Sequence, residues 1–365
     1  MAVGIGVARE SAPGERRVAL TPETCRKFLA AGATVRAERG LGERAGFPDA
    51  AYVSAGATLV DDAAAALADA DLVLCVQSPP AEVLEALRAG TTLIGQLQPE
   101  ADPARGDAIR ARDLVAFPLE RLPRTTRAQA MDVLSSQAGM AGYKAVLLAA
   151  QLVPRFFPML TTAAGTIRPS KVLVIGAGVA GLQAVATARR LGAQVECFDV
   201  RPETREQIES LGGRFLDLGV SAVGEGGYAR ALTEEERAEQ QRRLGEHLRG
   251  IDAIVCTAAV PGRPAPKIIT ADMVAGMQPG AVIVDLAAET GGNCELTRPG
   301  ETVESGGVTI AGPLDLASSG ALHASEMFAR NVYNFASLLL GNGALAFDWG
   351  DELLARTVWP PREAA

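Results

Sequence analysis

The sequence predicts an α/β protein with two doubly wound, Rossmann-like domains separated by a cleft, of which the first is discontinuous. Three observations support this prediction. A strand, a glycine-rich turn, a helix and a second strand follow one another at 171–200, and short apolar runs alternate with helical segments on both sides. The length of 365 residues suffices for two domains. We expect 1–134 with 325–365 to form the first domain and 135–324 the second.

The first domain is expected to alternate short strands with helices. A helix should begin at Thr21, because threonine is a favourable N-cap and Pro22 fits the first helical position. Its strands are predicted at 3–8, Thr34–Ala37, Leu72–Val76, Thr92–Gly95 and Leu114–Phe117.

The second domain should begin with a long helix at 135–151 that bridges the two domains. Parallel strands are predicted at Ala253–Cys256, Ala281–Asp285 and Val308–Ile310, and a helix over Ala324–Leu340 should return to the first domain. Residues 218–228 are rich in glycine and predict an irregular loop, either a mobile lid or a plain surface loop. A capping box at 233–236 should start a charged helix.

The turn at 176–181 has the pattern G-x-G-x-x-G that binds a dinucleotide pyrophosphate at a helix N-terminus. Asp199 follows Gly181 by 18 residues, where a carboxylate would bind ribose hydroxyls and repel a 2′-phosphate. The pattern therefore predicts NAD(H) rather than NADP(H). A turn with no ligand, or with a mononucleotide, is the alternative. The candidate cofactor-binding residues of the turn are Gly176, Gly178, Val179, Ala180 and Gly181.

Composition limits the possible partners. The net charge of −8 argues against nucleic acid and gives no case for binding an anionic membrane surface. The N-terminus lacks the features of a signal peptide, and no apolar stretch is long enough to predict membrane insertion. The five cysteines lack a C-x-x-C pair and predict free structural thiols, and no metal-ligand cluster is visible.

The segment 123–137 is dense in polar side chains between apolar flanks. Its side chains are of the kind that hold a nicotinamide, whose carboxamide needs a donor and an acceptor. A capped helix start with a surface salt bridge is the equal alternative. The candidate residues are Arg124, Gln129, Asp132 and Ser135, with Ser136 beside them.

The chain resembles the family of alanine dehydrogenases and proton-translocating nicotinamide nucleotide transhydrogenases, and it is more similar to the transhydrogenases. The resemblance covers nearly the whole chain, and the motif RAQAMDVLSSQ is its most specific segment. The other shared motifs are ERRVALTPE at 15–23, GAGVAGLQA at 176–184, GGYA at 226–229, AAVPGRPAP at 258–266 and DLAAETGGN at 285–293.

The resemblance implies roles for further residues. The loop Arg124–Asp132 would hold the nicotinamide, through Arg124, Gln129, Asp132 and Ser135. Tyr228 would belong to a mobile loop, with Gly227 and Gln240 nearby. The adenosine side would be lined by Val179, Asp199, Val200 and Arg201. The segment under the cofactor would be Thr257, Ala258, Ala259 and Val260.

Departures from the alanine dehydrogenases are equally informative. The arginine that grips a substrate carboxylate is retained as Arg17, but the lysine and histidine positions hold Gln77 and Gln98. Glutamine is not a general acid or base near neutral pH, so deamination of alanine has no plausible route. We expect Arg17 to be structural. The altered sequence at 312–319 puts nucleotide contacts from that turn in doubt.

The resemblance implies an NAD(H)-binding transhydrogenase subunit that exchanges hydride with NADP(H) on a partner subunit, coupled to proton movement through a separate membrane subunit. NADH would bind across the cleft between the domains. A homodimer at the cytoplasmic membrane face, attached through its partners, is the family expectation. An amino-acid dehydrogenase and a non-catalytic NAD(H) sensor are the alternatives.

Overall fold

The computed structural model describes residues 2–219, 233–259, 263–341 and 343–361. The chain divides into two compact units, Met1–Gln137 with Ala317–Ala365, and Ala138–Leu316. The sequence boundaries were expected at 134/135 and 324/325. Each unit is built on a parallel sheet with helices, so the predicted α/β fold class with two domains is confirmed.

The β-strands lie at short intervals along the described chain. In chain order they are β1 (Gly4–Val7), β2 (Thr34–Glu38), β3 (Thr58–Val60), β4 (Leu72–Gln77), β5 (Thr92–Gln96), β6 (Val115–Pro118), β7 (Leu160–Thr162), β8 (Gly165–Ile167), β9 (Lys171–Ile175), β10 (Gln194–Phe198), β11 (Arg214–Phe215), β12 (Ala253–Cys256), β13 (Val282–Asp285), β14 (Thr302–Ser305), β15 (Val308–Ala311), β16 (Leu340–Gly341) and β17 (Ala344–Leu345).

The α-helices separate most of these strands. They are α1 (Pro22–Ala30), α2 (Asp49–Ala55), α3 (Ala63–Leu67), α4 (Ala81–Ala86), α5 (Pro103–Ala111), α6 (Val133–Leu152), α7 (Val179–Arg190), α8 (Thr204–Ser210), α9 (Glu234–Leu248), α10 (Ala271–Ala275), α11 (Leu316–Ser319), α12 (Ala321–Ala336) and α13 (Glu352–Thr357).

In the first unit, six parallel strands form one sheet in the order β3-β2-β1-β4-β5-β6. The order reverses between β1 and β4, which makes the carboxyl ends of these strands the switch point where ligands commonly bind. The helix predicted at Thr21 is confirmed: Thr21 and Thr24 form a reciprocal capping box and Pro22 is the first helical residue. The edge strand β3 was missed, since its three residues are not fully buried and carry little strand signal.

Both faces of this sheet are buried, as expected of a parallel sheet. Leu72 and Leu74 of β4 join one apolar core, whereas Val73 and Cys75 join another on the opposite face. Helix α12 buries Phe328 and Phe335 in the first of these cores, and the rings of Phe335 and Phe117 lie 5.1 Å apart. This packing explains why the C-terminal segment belongs to the first unit.

In the second unit, seven strands form a sheet in the order β11-β10-β9-β12-β13-β15-β14. All pairs are parallel except β14 with β15. Alternate residues of β9 enter opposite cores, with Val172 and Val174 on one face and Leu173 and Ile175 on the other. The switch point of this sheet lies between the carboxyl ends of β9 and β12.

Two predictions at element ends need correction. Helix α12 ends at Ala336 rather than Leu340, because Leu340–Gly341 instead pairs with Ala344–Leu345 in a short hairpin. The antiparallel hairpin of β7 and β8 was missed because all its residues are exposed and it lacks an apolar alternation. All five cysteines are buried and free, as predicted. Among the described residues, no helix combines the length and the apolar character that a membrane span requires.

Candidate nucleotide-binding site

The glycine-rich turn connects β9 to α7 at the switch point of the second unit. Gly176 has φ +96°, and a Cβ there would lie 2.7 Å from Thr257 Oγ1. A Cβ on Gly181 would lie 1.8 Å from the carbonyl oxygen of Gly176. The protein's own packing therefore requires glycine at both positions.

Gly178 differs from these two glycines. It is the N-cap of α7 with φ −79°, which any residue can adopt, and a Cβ there would have no described atom within 4 Å. Packing within the described residues therefore gives no reason for glycine at this position. Space beside the unpaired N–H groups at a helix N-terminus fits a phosphate group. Val179, at the start of the helix, is 48% exposed, and Ala180 is partly exposed.

Asp199 directly follows β10 and is only 8% exposed. Its Oδ2 accepts a hydrogen bond of 2.7 Å from the backbone N–H of Ala177, within the glycine turn. Its two oxygens also accept from Nε and Nη2 of Arg201 at 2.9 and 2.8 Å. Burial opposes ionisation of Asp199, but the hydrogen bonds from Arg201 and Ala177 outweigh it and hold the pKa of this carboxyl below its ordinary value.

The segment after β12 closes the other side of the switch point. Thr257 Oγ1 donates to the backbone oxygen of Gly176 at 2.9 Å. Asn293 is fully buried and bonds both the N–H and the carbonyl of Ala258, at 3.0 and 2.7 Å. Ala259 is exposed, and Val200 packs partly against the core of this face. Sequence reasoning did not identify Asn293, although it lies in the DLAAETGGN motif.

The predicted site also includes Gln240 and three residues of other segments. Gln240 is buried on α9, which starts at the predicted capping box of Thr233 and Glu236. Gly227, Tyr228 and Val260 lie outside the described residues. The structure therefore gathers Gly176, Gly178, Asp199 and Thr257 around one turn.

The predicted nicotinamide loop belongs to the first unit and leads into α6. Asp132 caps this helix, since its Oδ1 accepts the backbone N–H of Ser135 at 2.9 Å and its Oδ2 accepts the Ser135 hydroxyl at 2.6 Å. The capped helix start considered from the sequence is therefore present, with Ser135 as the partner of Asp132. Arg124 and Gln129 are exposed. Ser136 donates to the carbonyl of Val133 at 3.1 Å.

Arg17 makes a buried ion pair at the carboxyl ends of the strands of the first sheet. We call this place the first edge. Its Nε and Nη2 bond the two oxygens of Glu15 at 2.8 and 2.6 Å, and its Nη1 bonds Gln137 at 3.0 Å. Arg17 and Glu15 are 5% and 2% exposed. Burial opposes ionisation of Glu15, but the hydrogen bonds and the positive charge of Arg17 outweigh this effect and lower the pKa of Glu15 to about 2. Sequence reasoning missed Gln137 and Glu15 as members of this network.

Gln77, the last residue of β4, and Gln98, just after β5, also lie at this edge. Gln77 donates its side-chain amide to Glu15 at 3.3 Å. Gln98 adopts φ +42° and donates its backbone N–H to Glu120 at 2.6 Å. Beside them, Glu10 accepts backbone N–H groups of Val76 and Gln77 at 2.7 and 3.0 Å. Neither glutamine can act as a general acid or base near neutral pH.

Family models match almost the whole chain. The model described as "Alanine dehydrogenase/PNT, N-terminal domain" matches residues 6–141, and "Alanine dehydrogenase/PNT, C-terminal domain" matches residues 145–360. The chain belongs to the alanine dehydrogenase/PNT family. Its membership confirms the resemblance that the motifs indicated.

Relatives in both branches of the family are similar over most of their length. The chain is 44% identical to an NAD(P) transhydrogenase subunit alpha of Rhodospirillum rubrum, covering 91% of this chain and 88% of the relative. It is 33% identical to an alanine dehydrogenase of Halomonas elongata, covering 81% and 75%. The crystal structure of a transhydrogenase from Sinorhizobium meliloti matches with a TM-score of 0.88 and 42% identity, covering 98% of this chain and 97% of that one.

Proposed function

We propose that this chain is the NAD(H)-binding subunit of a proton-translocating transhydrogenase. Hydride would pass between NADH on this chain and NADP⁺ on a partner subunit. The observation that carries this proposal is the pairing of a nucleotide turn with an edge that holds Gln77 and Gln98 where a dehydrogenase needs an acid and a base. The 44% identity to a transhydrogenase subunit supports the same assignment.

The second unit would bind the dinucleotide. Gly178 leaves room for the pyrophosphate beside the N-terminus of α7, and Asp199 would face the adenosine ribose with Val200 and Arg201. Asp199 disfavours a 2′-phosphate through its negative charge, which supports NAD(H) as the nucleotide on this chain. NADP(H) would then belong to the partner.

The nicotinamide would be held by Arg124, Gln129, Asp132, Ser135 and Ser136. When bound, the reduced nicotinamide supplies the hydride. The protein has only to orient this ring and exclude water, because hydride transfer between two rings requires no proton donor. The Asp132–Ser135 hydrogen bonds support this role, since they fix both side chains at the start of a long helix.

The assembly would include a membrane subunit that conducts protons and a subunit that binds NADP(H). These two partners would attach this chain to the cytoplasmic membrane face. We also propose a homodimer. The β7–β8 hairpin supports it, because Leu160 and Ile167 form an exposed cross-strand pair, 36% and 45% exposed, beside unpaired strand edges of the described chain. Sedimentation of Leu160→Glu should show monomers where the wild type sediments as a dimer. A monomeric wild type would contradict the homodimer.

Reconstitution with the NADP(H)-binding subunit tests the function. We expect the chain alone to bind NADH without turnover, and the mixture to reduce an NADP⁺ analogue at the expense of NADH. A parallel sample with NAD⁺ and alanine should give no NADH. Alanine-dependent NADH formation would instead favour an amino-acid dehydrogenase. NADH binding without transfer in the mixture would favour a non-catalytic sensor.

A further inference from the structure

The Asp199–Arg201 pair is the most heavily bonded feature of the proposed adenosine site. Four hydrogen bonds reach the carboxylate, from the backbone N–H groups of Ala177 and Arg201 and from two nitrogens of the Arg201 guanidinium, all at 2.7–2.9 Å. The two guanidinium bonds form the bidentate arrangement that arginine makes with carboxylates. The side chains of Asp199 and Arg201 are 7% and 19% exposed, so water weakens this ion pair less than it weakens a pair on the surface.

The chemistry of Arg201 is ambiguous when taken by itself. An arginine just after the second strand of such a unit is also the group that accommodates the 2′-phosphate of NADP(H). Guanidinium binds phosphate through the same fork of N–H groups that it uses for carboxylate. In this structure the Nε and Nη2 groups of that fork are directed at Asp199.

We propose that Asp199, besides repelling a 2′-phosphate as such an acid generally does, also holds Arg201 so that this arginine does not serve as a phosphate ligand. Arg201 is thus a specificity-determining residue whose effect depends on its partner. A 2′-phosphate approaching the pair would have to displace a buried carboxylate from the guanidinium and would meet the negative charge of that carboxylate. This inference rests on the proposed NAD(H) site.

Neutralising Asp199 distinguishes two explanations of why NADPH is excluded. If repulsion alone excludes NADPH, removing the charge restores NADPH binding whether or not Arg201 is present. If Arg201 is also released, the gain depends on its guanidinium. The contribution of one charge-assisted hydrogen bond corresponds to about a tenfold to hundredfold change in affinity.

The test is a double-mutant cycle with the purified full chain, with NADH and NADPH affinities read from nucleotide fluorescence. Asp199→Asn retains an oxygen that can accept the Ala177 N–H. It should lower the affinity for NADH and raise the affinity for NADPH about tenfold or more. Asp199→Asn with Arg201→Gln should lose most of the NADPH gain. Adding Arg205→Gln to Asp199→Asn is the matched control, because Arg205 pairs with Asp217 on the surface and its removal changes the net charge equally.

The outcomes are distinct. An NADPH gain that survives Arg201→Gln, or that disappears equally with Arg205→Gln, overturns the role of Arg201. Absence of any gain in Asp199→Asn overturns the proposal entirely. Failure of the wild-type chain to bind NADH would instead contradict the proposed function. Because the wild type is measured first, this failure is distinguished from failure of the proposal for Arg201.

Discussion

The two sheets have the same topological switch point, but the residues at these points differ in kind. In the second unit, the carboxyl ends of β9 and β12 carry small residues, and a Cβ at Gly178 would have no described atom within 4 Å. In the first unit, the equivalent place between β1 and β4 contains the carboxylate of Glu10 and the buried Glu15–Arg17 pair. Topology supplies the location, and the side chains decide whether a ligand binds there.

At the first edge, Arg17 and Glu15 neutralise each other. Arg17 has a carboxylate partner and a glutamine partner within the unit, so the guanidinium is already neutralised without a substrate. The carboxyl ends of the strands in the second sheet, the second edge, differ. There, no side chain of the described residues caps the N-terminus of α7. We interpret the first edge as structural and the second as the ligand site, and the following variants test that contrast.

The largest expected effect is on stability, from Arg17→Leu. This change leaves Glu15 buried without its counter-ion, which costs about 3–5 kcal/mol of unfolding free energy. Arg17→Leu with Glu15→Leu should recover much of the loss, since no buried charge of the pair remains. Arg36→Leu breaks an exposed pair with Asp69 and should cost less than about 1 kcal/mol. Denaturant unfolding measures all three, and an Arg17→Leu protein as stable as the wild type would contradict the structural role.

The next effect concerns the loop of the first unit. Asp132→Ala should slow hydride transfer to the partner on the order of a hundredfold, the cost of misplacing a reacting group by about 1 Å. NADH affinity should change by less than about threefold. Single-turnover transfer and equilibrium binding separate the two quantities. Asp62→Ala removes the N-cap of α3 and is the control for capping alone, with transfer unchanged. Equal losses of transfer and binding in Asp132→Ala would count against an orienting role.

The smallest effect is a pH dependence at the first edge. Burial raises the pKa of Glu10 from 4.5 to about 7, although backbone hydrogen bonds from Val76 and Gln77 oppose the shift. The folded state then holds the proton more tightly than the unfolded state, so stability falls as the pH rises from 4.5 to about 7 and levels off above. Glu10→Gln should match the wild type near about pH 4 and exceed it near about pH 8 by on the order of 1–3 kcal/mol. A difference independent of pH would contradict this account.

Most of the fold could be predicted from the sequence because the strands are short apolar runs with few interruptions. Ala253–Cys256 is an example, since all four residues are buried and the predicted bounds match β12. Two elements escaped prediction because β3 is only partly buried and the β7–β8 hairpin is exposed, so neither has the apolar pattern of a buried strand.

The candidate site could be predicted only incompletely, for a similar reason. Gly176 and Gly181 follow a local pattern, so their positions at the turn could be anticipated. Asn293 and Gln137 could not, because each acts on a residue far along the chain: Asn293 on Ala258, and Gln137 on Arg17. The pairing of Arg201 with Asp199 was not predictable either, since neighbouring opposite charges often face solvent separately.

The most direct test of the contrast between the two edges is the NADH affinity of Gly178→Val, measured with its thermal unfolding in the absence of nucleotide. A Cβ at this position has no described atom within 4 Å, so the melting temperature should fall only slightly, by the small amount that replacing a glycine N-cap with valine costs. NADH affinity should fall by about a hundredfold or more, the loss of roughly 3 kcal/mol. Unchanged NADH affinity in a stably folded Gly178→Val protein would contradict the assignment of the second edge as the nucleotide site.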